Sequence, residues 1–500
     1  MTEMSVMQAH AGQPPIAILG VPFDNLTTTE ASELITRMVQ SRRPHYLVTA
    51  DVDFLVQAQK DIELRRILFD AHVVLCEGTA LVWASRWLGN PLPERVAGSD
   101  LVPLVLRVAE AKQFRVFLLG ATHESATQAV ASLKAKYPNL PLVGHYSPPF
   151  QKLLEMDHEE ITRRIVGARP DLLFVSFGCP KQEKWIAMHY RSLGAPVCVG
   201  VGAKFDFLEV HMLSAPRWMQ STGTEWIFRR LQEPRRLFAR YASRLWVFGR
   251  GIVAQWWRLQ FRVPKLRAQV STPVQTEASW QCVRLPPRFD MQAVRDDALL
   301  VDQLLADGRD CLLDLSAVEF IDSTGVGLLI RLQKKVHDSD KQLVLLAPSA
   351  NVQRALELMQ LQSFFAAAPD IASARELIAT RNREANMPAT PRTAAALNPL
   401  VWQGEVTAAN SARVWSRTQA HVLALTAARR DVVIDLSAVR FLDSTGAGLM
   451  ARARKLAQRE GGQLTFANPT PAVLNVLRLA RLEEFLLGED PANSKSASVN

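Results

Sequence analysis

The chain carries one ten-residue segment twice, first as FIDSTGVGLL (320–329) and again as FLDSTGAGLM (441–450). Each copy continues a related apolar and acidic phrase, LLDLSAVEF and VIDLSAVRF, so the repeated unit is longer than the segment itself. The second copy starts 121 residues after the first. Because solenoid repeats are typically about 20–50 residues long, this period indicates two tandem domains of one fold.

Each repeated unit has the order strand, acidic turn, amphipathic helix, strand and helix. This order predicts two small α/β domains, each with a mixed sheet and helices on one side. Segments rich in Pro, Thr, Ala and Asn precede each unit and indicate linkers. The predicted boundaries are 17–262 for an N-terminal domain, 263–280 for a linker, 281–380 for the first repeated domain, 381–397 for a second linker, 398–488 for the second repeated domain and 489–500 for a disordered tail.

The N-terminal domain alternates apolar runs with amphipathic stretches such as VDFLVQAQKDIELRRILFDA. The apolar runs each end in or next to glycine or an acidic residue, as in HYLVTAD, AHVVLCEG, FRVFLLGATHE, DLLFVSFG and APVCVGVG. This alternation predicts an α/β fold with a mostly parallel sheet and helices on both faces. Ligands of such sheets bind at the carboxyl ends of the strands, so the loops that follow these runs form the candidate site.

Charge and cysteine usage limit the partners and the compartment. The net charge of +9 suggests an anionic partner, which nucleic acid, a phosphorylated substrate or an acidic membrane would satisfy. The five cysteines are scattered without a CxxC pair, which fits a reducing, cytoplasmic setting. We expect neither a signal peptide nor a transmembrane helix, because no basic N-terminal region precedes an apolar core and no window holds about 18 uninterrupted apolar residues.

Two loops present carboxylates directly after predicted strands. VTADVDF contains Thr49, Asp51 and Asp53, and its D-x-D triplet is either a divalent-metal site or a helix cap, with capping favoured. LCEGTA contains Glu77, which is either a general base in a cleft or an ordinary N-cap.

Two further loops carry candidate substrate contacts. In PERVAGSD, an arginine could clamp a diphosphate bidentately or form a surface ion pair. In FGCPKQEKW, a tight loop brings polar side chains to the first turn of a helix, where free N–H groups suit a phosphate or sugar oxygen. The predicted substrate-binding residues of these two loops are Arg95, Gly98, Asp100, Gly178, Lys181, Gln182 and Glu183.

Residues 217–262 are dominated by arginine and aromatic side chains, with few acids. This composition has three interpretations: a segment that binds single-stranded nucleic acid, a helix that lies in the interface of an anionic membrane, and a helix packed on its own domain. We favour the membrane and expect no nucleic-acid partner. Arg229, Arg236 and Arg240 are the predicted membrane-facing residues.

The motifs ERVAGSDL, FGCPKQEKW, VGVGAKFDFL and APRWMQSTGTEWIFRRLQEPRRL together resemble the WecG/TagA/CpsF family of bacterial glycosyltransferases. The resemblance covers about residues 17–250. It implies a Rossmann-like sheet and metal-independent, inverting transfer of an N-acetylmannosamine-type sugar. It further implies a UDP-sugar donor, a polyprenyl-diphosphate-linked acceptor and an arginine-bearing C-terminal appendage that meets the inner face of the plasma membrane.

By resemblance, the family's catalytic carboxylate falls on Glu77 and its threonine on Thr49, so with Asp51 these are the predicted catalytic residues. Arg95 takes the position of the donor-binding arginine, and Gln182 that of a loop glutamine. Two positions depart from the family pattern. Glu77 is one methylene longer than the usual Asp, and Asp51 places a charge where the family has a neutral Asn.

The repeated units resemble STAS domains, as found in bacterial anti-sigma factor antagonists. Their phosphoacceptor precedes the glycine of the turn, which here selects Thr324 and Thr445. Phosphorylation by a kinase and docking of a protein partner without phosphorylation are both left open. An alternative function for the whole chain is a non-catalytic sensor of sugar nucleotides that acts as an anti-sigma factor antagonist. A homo-oligomer is also left open.

Overall fold

A computed structural model describes residues 14–202, 234–260, 272–276, 280–291, 293, 309–339, 341–362, 364–386, 399–407, 410–480 and 486–487. The chain forms two compact units. The first comprises Met1–Phe150, Asp157–Ile186 and Tyr190–Ala385, and the second comprises Gln151–Met156, Ala187–His189 and Asn386–Asn500. The N-terminal domain and the first repeated domain therefore share one compact unit, although the sequence suggests that a linker separates them.

The N-terminal domain alternates strands and helices as predicted. Its strands are β1 (Ile16–Ile18), β2 (Val21–Phe23), β3 (His45–Ala50), β4 (Val73–Cys76), β5 (Val116–Gly120), β6 (Leu142–Tyr146), β7 (Leu172–Ser176) and β8 (Val197–Gly200). Its helices are α1 (Thr28–Ser41), α2 (Val52–Ala58), α3 (Ile62–Asp70), α4 (Thr79–Trp87), α5 (Gly98–Lys112), α6 (His123–Lys136), α7 (His158–Ala168), α8 (Lys181–His189) and α9 (Pro234–Gln260), with a 3₁₀ turn at Leu153–Glu155.

Six described strands form a parallel sheet in the order β4-β3-β8-β7-β5-β6, and β1 pairs with β2 as a separate antiparallel hairpin. Strands β4, β5, β7 and β8 are buried along their whole length, as expected when helices cover both faces. This confirms the predicted fold class. Because the pairs are parallel, the ends of β3, β4, β7 and β8 lie along one edge of the sheet.

Local sequence signals place the helix starts that frame this edge. Thr27 and Glu30 form a capping box at the start of α1, and the Asp51 and Asp61 carboxylates cap α2 and α3. Each cap satisfies an N–H group that the first helical turn leaves unpaired. At this edge only Asp51 separates the end of β3 from the start of α2.

The first repeated domain has a five-stranded mixed sheet in the order β15-β14-β12-β10-β9, in which β9 is antiparallel to β10. Strands β11 and β13 pair separately. The strands are β9 (Thr272–Thr276), β10 (Trp280–Arg284), β11 (Arg288–Phe289), β12 (Asp310–Asp314), β13 (Phe320–Ile321), β14 (Leu343–Leu346) and β15 (Ala366–Ala368), and the helices are α10 (Ser323–Asp338), α11 (Ala350–Leu358) and α12 (Ile371–Asn386).

The helices of the first repeated domain lie on both faces of its sheet, so the prediction of helices on one side is wrong. Leu313 and Leu345 pack in one core cluster with residues of α10 and α11. Leu312 packs on the opposite face, in a cluster with Ala374 and Ile378 of α12. The reason is that β12 and β14 are apolar at consecutive positions, so both of their faces need cover.

The second repeated domain has a described three-stranded parallel sheet in the order β16-β17-β18. Its strands are β16 (Leu400–Val406), β17 (Val432–Leu442) and β18 (Leu464–Ala467), and its helices are α13 (Ser411–Ala427), α14 (Ser444–Arg459) and α15 (Pro471–Ala480). Within the ranges described above, no helix is long and apolar enough to cross a membrane.

The cover that α12 provides is testable with two arginine substitutions. Ala374 is buried against the sheet, whereas Glu376 is exposed on the same helix. Because Ala374→Arg forces a charge into an apolar layer, we expect it to lower the free energy of unfolding by on the order of 3 kcal/mol. Glu376→Arg serves as the control and should change it little. Thermal unfolding of the full chain measures both, and equal melting temperatures would show that α12 does not cover this face.

Candidate active site

The loop after β3 carries Thr49 and Asp51. Thr49 is half-buried, and the Asp51 carboxylate accepts a hydrogen bond from the Phe54 N–H at 3.0 Å, so it caps α2. Asp53 forms an ion pair with Arg244 of α9. Of the two interpretations of the D-x-D triplet, capping is the one that the structure shows. Burial, and then the charge of Asp53, raises the pKa of Asp51.

Glu77 follows β4 and lies beside the loop after β3. Its N–H donates to the Ala50 carbonyl oxygen at 3.0 Å, which joins the two strand ends. A Cβ atom built on Gly98, the first residue of α5, would lie 3.9 Å from Oε1 of Glu77. The carboxylate therefore lies at the N-terminus of a fifteen-residue helix, where the helix dipole favours negative charge. It is half-buried, so an incoming hydroxyl can reach it.

Arg95 lies in the loop that leads into α5. The Val96 N–H donates to the Cys76 carbonyl oxygen at 2.7 Å and fixes this loop against the end of β4. The Arg95 guanidinium pairs with Asp100 at 3.1 Å, so the ion pair predicted as one alternative is present. Asp100 is half-exposed, and such a pair contributes little to stability, so an anionic ligand could displace the carboxylate.

Gln182 ties together the loops that follow β7 and β8. Its Oε1 accepts hydrogen bonds from the N–H groups of Gly178 at 3.2 Å and Gly202 at 3.1 Å, and its Nε2 donates to Glu183 at 2.6 Å. Gly178 has a φ of +77°, which favours glycine. A Cβ atom on Gly200 would lie 2.7 Å from the Gln182 amide, so the contact is tight.

The predicted roles of Gln182 and Glu183 as substrate contacts need correction. Both side chains are buried, at 3% and 2% exposure, and both the oxygen and the nitrogen of the Gln182 amide bond to partners within the protein. The physical reason is that the first turn of α8 packs inward, beneath the strand ends. Gln182 instead bonds to the N–H groups of the two glycine loops, and the substrate-binding roles of Gly178 and Lys181 stay predictions.

Lys181 starts α8 with its ammonium over two aromatic rings. Its Nζ lies 5.2 Å from the Phe177 ring centroid and 5.3 Å from that of Phe150, within cation–π range. Burial lowers the pKa of Lys181 from its ordinary value. A lysine held at a helix N-terminus is suited to an anionic group such as a phosphate.

Glu183 is a buried acid that sequence reasoning misplaced. Its Oε2 has no hydrogen-bond partner among the described residues, and burial raises its pKa to about 7. The nearby charge of Asp51 contributes to this rise. The only sequence signal for its burial is its place in the first turn of the helix that follows β7, a strand buried along its whole length.

Helix α9 has one packed face and one exposed face. Phe248, Ile252 and Gln255 are buried, and the exposed side carries Trp246 (75% exposed) and Trp257 (57% exposed). The interpretation of a packed helix therefore holds for one face of α9, and contact of the other face with a membrane stays a prediction. Of the predicted membrane-facing residues, Arg229 lies outside the described residues, and Arg236 and Arg240 are described only as helix backbone.

The two DSTG turns differ in their surroundings. Asp322 and Asp443 cap α10 and α14 in the same way, through the N–H of the following glycine. Thr324 is fully buried, and its Oγ1 has no hydrogen-bond partner in the described part of the chain. Thr445 is half-buried. A kinase cannot reach Thr324 in this arrangement, so its predicted role as a phosphoacceptor requires the turn to open first.

Comparison with known proteins shows what this arrangement is similar to. Residues 16–262 match the model of the glycosyl transferase WecG/TagA/CpsF family. Two relatives from Staphylococcus aureus, strains MW2 and NCTC 8325 / PS 47, are each 32% identical over 224 residues, which is 44% of this chain and 86% of theirs. Both are named N-acetylglucosaminyldiphosphoundecaprenol N-acetyl-beta-D-mannosaminyltransferase. The chain belongs to the WecG/TagA/CpsF family of glycosyltransferases.

The two repeated domains are STAS domains. Residues 276–374 match the STAS domain model, and residues 396–488 match the model described as Mlab, STAS domain. Among solved structures, an anti-sigma-factor antagonist domain from Planctomyces limnophilus is 20% identical, with 22% of this chain and 99% of that one covered and a TM-score of 0.20. A putative anti-sigma factor antagonist from Thermotoga maritima is 22% identical, with 22% and 93% covered and a TM-score of 0.19.

The buried acid of the glycosyltransferase domain gives a pH-dependent prediction. The folded-state pKa of Glu183 is about 7 against an ordinary 4.5, so the folded chain keeps this proton where the unfolded chain loses it. The contribution of Glu183 to stability should therefore be lost as pH rises from 4.5 to 7. Glu183→Gln removes this loss, and its advantage over the natural chain should grow by roughly 3 kcal/mol across that range.

Urea unfolding at several pH values measures the difference between Glu183→Gln and the natural chain. Glu124→Gln, at an exposed position of α6, is the matched control and should follow the natural chain. If the free energies of unfolding of Glu183→Gln and of the natural chain change in parallel with pH, the raised pKa of the buried Glu183 is contradicted.

Proposed function

We propose that this glycosyltransferase moves an N-acetylmannosamine-type sugar from a UDP donor to a polyprenyl-diphosphate-linked acceptor, with inversion and without a metal ion. The names of the Staphylococcus aureus relatives specify such a sugar and such an acceptor. The observation that carries the proposal is the position of Glu77. Its carboxylate lies at the edge of the sheet, beside Gly98 and next to the loop after β3.

In the proposed reaction, Glu77 accepts the proton of the acceptor hydroxyl while that oxygen attacks the anomeric carbon. The bond from the anomeric carbon to the UDP oxygen breaks, and its electron pair leaves with UDP. Arg95 and Lys181, with the N-termini of α5 and α8, supply positive charge and N–H groups for the departing diphosphate. A single displacement of this kind inverts the anomeric carbon.

The replacement of the family's Asn by Asp51 is compatible with this site. A charged Asp51 close to a diphosphate would repel the donor. Burial raises the pKa of Asp51, whereas the hydrogen bond from the Phe54 N–H lowers it. The raised pKa weakens the repulsion between this carboxyl and a diphosphate donor.

A lipid-linked acceptor brings the reaction to a membrane, and we propose that the chain acts peripherally at the inner face of the plasma membrane. The exposed side of α9 supports this assignment. Trp246, Arg250, Val253 and Trp257 are spaced so that they share one side of the helix, and all four are exposed. Tryptophan suits the headgroup level of a bilayer, and arginine suits anionic lipid.

The role of Glu77 is tested by two substitutions. Glu77→Gln removes the base but keeps the shape, so UDP release that depends on a lipid-linked acceptor analogue should fall by about 10²–10⁴-fold. Binding of the UDP-sugar, measured by calorimetry, should persist. Glu77→Asp keeps a carboxylate and is the matched control, which should retain turnover. Unchanged turnover in Glu77→Gln would remove Glu77 from the mechanism, and donor binding without turnover in the natural chain would favour the sensor function.

The membrane assignment is tested by flotation with vesicles containing anionic lipid. The double substitution Trp246→Ser and Trp257→Ser removes the exposed aromatic side chains and should reduce the bound fraction about tenfold or more. Leu377→Ser with Leu423→Ser, at two exposed apolar positions in the STAS domains, is the control and should bind as the natural chain does. Equal binding of all three proteins would contradict a role for α9 at the membrane.

A further inference from the structure

The core of the first STAS domain includes residues of the glycosyltransferase domain. Ala17 of β1 and Phe69 of α3 are buried in the same apolar cluster as α10 and α11. The Phe69 ring lies 4.8 Å from the ring of Phe364 and 5.8 Å from that of Phe365, between centroids. A shared apolar core of this kind is what holds the parts of one folding unit together.

One buried amide joins the DSTG turn to two elements of the glycosyltransferase domain. Gln255 of α9 is 1% exposed, and its Nε2 donates to Ser323 Oγ and to the Ala17 carbonyl oxygen, both at 2.9 Å. Its Oε1 accepts from the Leu19 N–H at 2.9 Å. The amide uses both ends, and loss of one partner would leave a buried polar group unsatisfied. Gln255 therefore joins α9 to the β1–β2 hairpin and, through Ser323, to the DSTG turn.

The backbone of the hairpin approaches α10 too closely for a side chain. A Cβ atom on Gly327 would lie 2.5 Å from the Pro15 carbonyl oxygen and 3.3 Å from the Ala17 nitrogen. On the hairpin side, a Cβ atom on Gly20 would lie 2.3 Å from the Met359 carbonyl oxygen. Both approaches are backbone to backbone, so neither can be relieved by moving a flexible side chain.

Two long cationic side chains cross the same boundary. Lys334 of α10 donates from Nζ to the Ala71 carbonyl oxygen at 2.9 Å. In the other direction, buried Arg65 of α3 donates to the Gln360 carbonyl oxygen at 3.4 Å and to the Ala58 carbonyl oxygen at 2.6 Å. Charge-assisted bonds to backbone oxygens fix the orientation of the two domains.

We propose that the first STAS domain binds the glycosyltransferase domain of its own chain, with the face that begins at the DSTG turn as the docking surface. This face recognises the β1–β2 hairpin and α9, and it holds α9 where Arg244 reaches Asp53, next to the capped loop of the active site. The docking surface of the first STAS domain is therefore occupied in cis, and the buried Thr324 lies next to Ser323, which makes one of its contacts.

The second STAS domain carries the same residues at this face, but no described backbone lies as close to Gly448 as to Gly327. Ser444, Thr445, Gly448 and Lys455 correspond to Ser323, Thr324, Gly327 and Lys334 in the repeat. A Cβ atom on Gly448 would meet no described atom closer than 3.9 Å, and Lys455 is exposed. The duplication thus supplies a matched control for each substitution in the first copy.

Hydrogen exchange of the full chain, read by mass spectrometry, tests the proposal without any enzyme assay. Gly327→Ala should speed exchange in β1, β2 and the described part of α9 by roughly tenfold or more, because the hairpin can no longer seat. Gly448→Ala should leave these segments unchanged. Lys334→Met should speed exchange in the same segments by about threefold, and Lys455→Met should not.

Faster exchange confined to the hairpin and α9 in the first-copy variants supports docking in cis. If Gly327→Ala unfolds the whole chain, Lys334→Met decides, because it alters a half-buried side chain and leaves the helix backbone intact. Unchanged exchange of β1, β2 and α9 in the folded first-copy variants would overturn the proposal. Equal acceleration by the matched second-copy variants would also overturn it.

Discussion

Parallel strand pairing is the constraint on which the active site depends. It brings the carboxyl ends of β3, β4, β7 and β8 to one edge of the sheet. Residues more than a hundred positions apart in the chain therefore become neighbours. Two hydrogen-bonded links then fix that edge. The Glu77 N–H joins the ends of β3 and β4, and the Gln182 amide joins the loops after β7 and β8. A catalytic carboxylate needs such fixed neighbours, because misplacement by about 1 Å can cost 10²-fold in rate.

Sequence reasoning succeeded where local physics decides and failed where tertiary packing decides. The alternation of apolar runs with amphipathic stretches predicted the parallel sheet. The acidic residue directly after an apolar run predicted the cap at Asp51. The burial of Gln182 could not be predicted, because it depends on the direction in which the first turn of α8 packs. The contact of Ser323 with Gln255 could not be predicted either, because the two residues are 68 positions apart in the chain. The cover of α12 on the second face of the STAS sheet was missed for the same reason.

Helix α9 contacts both the active-site loop and the first STAS domain, and it carries the surface that we assign to the membrane. Its buried side holds Gln255 between the hairpin and the DSTG turn, and Arg244 reaches the loop after β3. Its exposed side carries the tryptophans that we assign to the membrane. One helix would thus position the active-site loop, seat the first STAS domain and meet the bilayer. A phosphate on Thr324 would need room that the docked state lacks, so modification there and docking in cis exclude each other.

In the proposed mechanism one carboxylate, Glu77, drives a single displacement at the sheet edge. The anomeric configuration of the product tests it most directly, because a single displacement inverts the donor's anomeric carbon, whereas a glycosyl-enzyme intermediate would retain it. The measurement is NMR of the disaccharide product formed from UDP-N-acetylmannosamine and a lipid-linked acceptor analogue. A single displacement gives a product whose new linkage is inverted relative to the donor. A product with the configuration of the donor would contradict a single displacement at Glu77.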